Sequence, residues 1–89
     1  AYRMAGITDP RRDIQVWEVH DAFASSELQQ YEDVGLCRYG ESGRFIEAGH
    51  TLLGGSSPVN PSGGLLACGH PVGATGLMQL VFCFWQCQG

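Results

Sequence analysis

The sequence predicts an α/β fold on three observations. Residues 13–19 (DIQVWEV) place β-branched and aromatic residues in near alternation, as a largely buried strand does. Residues 23–34 carry Phe23, Leu28, Tyr31 and Val34 at roughly helical spacing, with Gly35 as a stop signal. Residues 73–88 read as a second long helix, apolar nearly all round from Leu77 to Trp85. A helix without a polar face has to be covered on several sides, more than this chain can supply. The pattern α–β–α–loop–α is α/β in class but has too few strands for a sheet of its own.

The other elements follow in order. AYRMAGIT (1–8) reads as the end of a helix closed by Gly6, and Asp9-Pro10 as a turn or the start of a short helical turn. Residues 36–64 are mostly loop, with a helical turn expected at Phe45–Glu47. A connection this long inside a compact domain is functional or packs on another part of the protein. No repeat or linker divides the chain, so residues 1–89 are expected to form part of one domain. It opens in what reads as mid-helix sequence and stops directly after an apolar stretch, and a longer polypeptide is therefore expected.

Composition narrows the function. The formal charge is −4, and Arg11-Arg12 is the largest basic cluster, so the footprint that neutralises nucleic-acid phosphates is lacking. AYRMAGITDP has neither the apolar core nor the cleavage site of a signal peptide. The longest apolar run, Leu77 to Trp85, falls far short of the ~20 residues that span a bilayer. Cys37, Cys68, Cys83 and Cys87 lack zinc-ribbon spacing and read as reduced core thiols, which favours an intracellular protein. Trp17, Phe82, Phe84 and Trp85 also read as core.

The chemistry is concentrated in NPSGGLLACGHPVGATG, residues 60–76. Six glycines or prolines among residues 60–73 impose a tightly turned backbone, which displays one imidazole, His70, between Gly69 and Pro71. The four small residues from Gly73 to Gly76 open a helix and allow close packing. Two readings stand for His70: a ring that satisfies a buried loop, or a displayed acid/base group. His20-Asp21, at the expected strand end, is the second candidate. His20 can donate, accept or hold a water there; alternatively Asp21 caps the following helix while His20 bonds to nearby backbone. A metal site from His20, His50 and His70 has no support in the spacing. A Cys68/His70 nucleophilic pair is disfavoured, because Cys68 sits in an apolar run without an electropositive setting.

These motifs carry a resemblance. GHPVGATG (69–76), preceded by NPSGG (60–64), resembles the histidine loop of thiolases. EVHDAF (18–23), followed by YEDVGL, is similar to the HDxF motif of sterol-carrier-protein-type thiolases and their archaeal and bacterial relatives; many other thiolases read NEAF there. The two motifs stand in the family's order, and the resemblance covers nearly the whole chain. It implies the C-terminal half of a five-layered αβαβα fold. It also implies an enzyme that cleaves 3-ketoacyl-CoA with coenzyme A, or condenses acyl-CoA by the reverse Claisen reaction. By resemblance, His70 activates a cysteine nucleophile of the N-terminal half and donates to the thioester oxygen. His20 takes the place where NEAF enzymes use asparagine to hold a water, Phe23 borders the acyl and pantetheine pocket, and Gly64 and Gly69 shape the surrounding loops. The resemblance further implies acyl-CoA and coenzyme A as substrates, no permanently bound cofactor or metal, and a homodimer or tetramer. The location implied is a bacterial or archaeal cytoplasm, or a peroxisome.

Two departures matter. The nucleophilic cysteine and most coenzyme A contacts of the family lie in regions that these residues do not include. HDCF enzymes place an acid/base cysteine where this chain has Ala22. A methyl group moves no proton, so the resemblance implies a further titratable group C-terminal to Gly89. Two alternatives remain open: a thiolase-like aldolase acting on sterol side-chain CoA thioesters with a small acyl-CoA-binding partner, and a non-catalytic thiolase-like scaffold.

Overall fold

In the computed structural model, which describes all 89 residues, six helices are set on a frame of irregular backbone. α1 (Tyr2–Ala5) ends where Gly6 turns left-handed, and the Tyr2 hydroxyl ties it to the Val34 carbonyl at 2.5 Å. α2 (Pro10–Asp13) starts from Asp9, whose carboxylate accepts the Arg11 N–H, with proline at the first helical position, where its missing N–H costs nothing. α3 (Ala24–Asp33) stops just before Gly35, where the periodicity ends. α4 (Ser42–Glu47) is longer than the expected turn, and packs on α3 through Tyr31 and Phe45, whose rings are 6.2 Å apart. α5 (Gly64–Cys68) begins at the end of the expected loop 36–64, within the stretch expected only to be tightly turned, and α6 (Thr75–Gln88) follows the histidine loop.

The strand expected over residues 13–19 does not form, and the α/β layering is not seen within this chain. Asp13 belongs to α2, and Trp17 makes a single parallel bridge to Val59. Two bonds frame that bridge: Trp17 N–H to the Pro58 carbonyl at 3.0 Å, and Asn60 N–H to the Trp17 carbonyl at 2.7 Å. A ladder needs a neighbour that offers backbone groups along its whole length. Here the neighbour turns away at Asn60, which adopts φ 49°, a left-handed conformation that asparagine tolerates better than most residues.

Beyond the bridge, amide side chains replace the missing strands. The Val19 N–H donates to Asn60 Oδ1 at 2.7 Å, and the Val19 carbonyl accepts from Gln79 Nε2 of α6 at 2.7 Å. Gln30 of α3 accepts the His20 N–H at 3.0 Å and donates to the His20 carbonyl at 2.5 Å. Three amides from three parts of the chain thus do for residues 19–20 what a sheet does for a strand. They satisfy its backbone and fix its direction.

The core is small. Trp17, Val19, Tyr31, Leu36, Phe45 and Val59 form its buried cluster. Burial holds the Tyr31 phenol above its ordinary range, reinforced by the bond it donates to Glu27 Oε1 at 2.7 Å. Of the four residues read as core in sequence, Trp17 is buried and Phe82 half-buried, whereas Phe84 and Trp85 are each 58% exposed. The reason is the one given by the composition of α6: nothing in this chain covers that helix. Its outer face holds an open apolar groove of about 230 Å³ lined by Ala74, Leu77, Met78, Val81, Phe82 and Trp85. Expressed by itself, the 89-residue chain is therefore expected to self-associate and to bind a hydrophobic dye. Leu80→Glu with Phe84→Glu, two exposed apolar positions one turn apart, should shift it toward monomer in sedimentation. A wild-type chain that sediments as a monomer without binding dye contradicts this. No helix is long and apolar enough to cross a membrane.

Candidate active site

Fifty residues separate His20 from His70, yet their imidazole rings meet edge to face, with centroids 4.8 Å apart and planes at 82°. Each ring arrives on a backbone held from below. His20 extends from the amide-clamped segment, through Gln30 and its neighbour Val19. His70 follows α5, whose start is fixed by Asp21, the residue after His20.

Asp21 is the joint between the two motifs. Its carboxylate is buried, at 3% exposure, and Oδ1 accepts the Leu65 N–H at 2.7 Å. It therefore caps α5, not the α3 helix that follows it in sequence. The contact is close because Gly64 has φ 67° and no side chain; a Cβ there would lie 2.2 Å from Asp21 Oδ2. A second tie runs alongside. Ser62 donates through its N–H to Glu18 Oε1 at 3.2 Å and through its hydroxyl to Glu18 Oε2 at 2.8 Å. EVHD thus locks onto residues 62–65 through two carboxylates, Glu18 taking the Ser62 N–H and Asp21 the Leu65 N–H.

His70 has one further partner. Its Nδ1 lies 2.7 Å from the Thr75 hydroxyl in the first turn of α6, and that hydroxyl donates back to the Pro71 carbonyl at 3.1 Å. Gln79, one turn further along α6, holds Val19, so a single helix steadies the backing of both histidines.

The remaining candidates lie as follows. Gly64 is buried at the Asp21 joint, and Gly69 sits exposed at the end of α5, beside His70. Phe23 stands just before α3 and is 71% exposed. His50 belongs to another cluster, stacked on Phe45 with ring centroids 4.9 Å apart and bonded to Ser56 Oγ at 2.9 Å. The largest cavity, about 480 Å³, is lined by Arg11, Arg38 and Arg44 among others and includes neither His20 nor His70. It has no connection with the histidine pair, and volume is a poorer guide here than side-chain convergence.

Cys68 is exposed and directs its Sγ to the Ser62 carbonyl at 3.4 Å. All four cysteines are free, but only Cys37 and Cys83 are partly buried, and burial pushes both of those thiols up. The expectation of four core thiols fails for Cys68 and Cys87, which lie on exposed ends of α5 and α6. In the isolated chain, Cys68 and Cys87 should alkylate at least ~10-fold faster than Cys37 and Cys83 at neutral pH, because reaction needs both access and thiolate. Peptide mapping after brief iodoacetamide exposure reads the ratio, and four equal rates would contradict it.

Thr75, Gln30, Gln79, Asn60 and the Glu18–Ser62 pair escape the sequence reading. Thr75 is visible there only as a small residue opening a helix. A hydroxyl five residues after a displayed histidine, across a proline, is the signal that could have marked it.

The structure thus presents a histidine pair on a hydrogen-bonded frame, with one helix, α6, bonded to the backing of both. The chain belongs to the thiolase C-terminal domain-like family, whose model matches residues 1–89. Human sterol carrier protein 2 is 44% identical over 88 residues, covering 99% of this chain and 16% of that protein. An acetyl-CoA acetyltransferase of Methanothermobacter thermautotrophicus is 47% identical over 89 residues, covering 100% of this chain and 23% of its own length. Non-specific lipid-transfer protein-like 2 of Caenorhabditis elegans is 48% identical over 69 residues, 78% of this chain and 17% of that protein. The chain thus spans less than a quarter of the length of these relatives.

Proposed function

We propose that, in the complete polypeptide, this domain supplies the histidine side of a thiolase active site, with acyl-CoA and coenzyme A as substrates and no permanently bound cofactor. The observation that carries this reading is the edge contact of His20 and His70, which joins two distant motifs at one point. Neutral His70 takes the proton of a cysteine thiol from the remainder of the polypeptide. The thiolate attacks the 3-keto carbon of the acyl-CoA, and the carbon–carbon bond breaks. The departing acetyl-CoA carbanion is protonated by an acid that Ala22 cannot be. The thiol of coenzyme A then displaces the acyl group, and the cysteine is restored. Donors fixed at the developing oxyanion lower the barrier in both halves, and His70 and a water held by His20 fill that role. Phe23 borders the acyl and pantetheine path, and its exposure within this chain leaves it free to do so. A dimer or tetramer and an intracellular location, bacterial, archaeal or peroxisomal, complete the proposal.

The relatives named as a sterol carrier and a lipid-transfer protein favour a second reading, in which the domain serves lipid handling without cysteine chemistry. Two parallel incubations separate them. The complete polypeptide is given acetoacetyl-CoA with coenzyme A, or a 3-hydroxyacyl sterol thioester of coenzyme A, and acyl-enzyme is sought by intact mass in each. Turnover with a covalent acyl adduct supports the thiolase. Retro-aldol release from a 3-hydroxyacyl sterol thioester without an adduct supports the aldolase. Acyl-CoA binding without either reaction supports a scaffold or carrier.

A further inference from the structure

Thr75 is 3% exposed, and its hydroxyl stands between two partners, His70 Nδ1 at 2.7 Å and the Pro71 carbonyl oxygen at 3.1 Å. A hydroxyl has one hydrogen to give and two lone pairs to accept with. Its geometry toward Pro71 is that of a donor, the back-bond that serine and threonine make to the carbonyl four residues earlier. The same carbonyl also takes the Ala74 and Thr75 N–H groups, so the hydroxyl joins a shared acceptor in the first helical turn. With its hydrogen directed there, the Thr75 oxygen accepts from His70 and Nδ1 carries the ring proton; turned toward the ring instead, the same hydroxyl would donate to an unprotonated Nδ1, and the two arrangements differ in the tautomer they hold.

We infer that Thr75 is a positioning residue that holds neutral His70 as the Nδ1–H tautomer and leaves Nε2 with its lone pair free. The inference rests on the proposed role of His70 for its consequence, but not for its geometry. In this tautomer Nε2 can take a thiol proton at once. The imidazolium that results has N–H on both nitrogens, and its Nδ1–H already has an acceptor, so no group need move. The opposite tautomer carries its proton on Nε2 and cannot act as a base there. The logic is that of the carboxylate that orients a triad histidine, here with a neutral oxygen. His20 is the titratable side chain that meets the His70 ring. The carboxylates of the joint, Asp21 and Glu18, are engaged by the Leu65 N–H and by Ser62.

The test uses the complete polypeptide with histidine labelled in ¹⁵N, the His70 signals being assigned by their loss in His70→Gln. In the neutral wild-type ring, Nδ1 should resonate as a protonated nitrogen and Nε2 as an unprotonated one. Thr75→Val, nearly isosteric, should abolish that preference, and Thr75→Ser should keep it. In turnover, Thr75→Val should lower kcat by roughly 10–100-fold with KM within about threefold, while Thr75→Ser keeps at least about a third of kcat. A wild-type ring found as the Nε2–H tautomer overturns the inference, and that measurement stands even if Thr75→Val fails to fold. So does a folded Thr75→Val protein with unchanged tautomer. A lost preference with unchanged kcat upholds Thr75 as the tautomer's holder and refutes His70 as the base, which separates this inference from the functional reading beneath it.

Discussion

His70→Ala in the complete polypeptide is expected to lower kcat by roughly 10²–10⁴, the range for losing a general base or an oxyanion donor. KM should move little, because the interaction strengthens as charge develops in the transition state. Alkylation of the nucleophilic cysteine should slow as well, since its thiol loses the proton acceptor that favours thiolate. His20→Ala is expected to cost less: a water-holding side chain can be replaced in part by solvent. The two losses should not add, because the rings touch and act on one reacting group. If His70→Ala retains more than about a tenth of wild-type turnover, a change of under ~1.4 kcal/mol in the barrier, the assignment of His70 fails.

How much of this could be read in advance divides along local and non-local lines. The ends of α1 and α3, the short helical start at Asp9-Pro10 and the apolar run of α6 depend on neighbours within one or two turns, and the sequence displays them. DIQVWEV looks like a strand because its alternation is right for one. Whether a strand forms, however, depends on a partner, and here only residues 58–60 run alongside. Asp21 was legible as a cap but not as the cap of α5, since its acceptor role joins residues 44 apart in the chain. α5 itself is hidden by Gly63-Gly64, which read as loop and are instead the cost of bringing a helix start against a carboxylate. For the site, His70 was marked by its glycine and proline frame. The resemblance assigns His70 and His20 separate roles in one active site; spacing alone gives no reason for two rings fifty residues apart to meet, and their edge contact comes from the fold.

Gly64→Ala should destabilise this domain by roughly 2–5 kcal/mol. Two costs combine. A left-handed φ of 67° is strained by about 1–2 kcal/mol for any residue with a Cβ. That Cβ would also stand 2.2 Å from Asp21 Oδ2 and 2.8 Å from Asp21 Cγ, an overlap that forces the carboxylate aside at a further ~1–3 kcal/mol. Once displaced, Asp21 no longer accepts the Leu65 N–H, and a buried donor is left unpaired. Such a loss is a large fraction of the stability of an ordinary domain. It should also part the histidines, because Asp21 follows His20 directly and α5 leads directly to His70. A double-mutant cycle isolates the overlap. Asp21→Ala alone should cost about 1–3 kcal/mol for the unpaired Leu65 N–H. In that background Gly64→Ala should add only the ~1–2 kcal/mol of backbone strain, since the carboxylate it would strike is gone. Denaturant titration of the four proteins measures the coupling. If Gly64→Ala costs less than ~1 kcal/mol, or costs the same with and without Asp21, then the carboxylate is not what holds position 64 to glycine, and the joint between the two histidine motifs lies elsewhere.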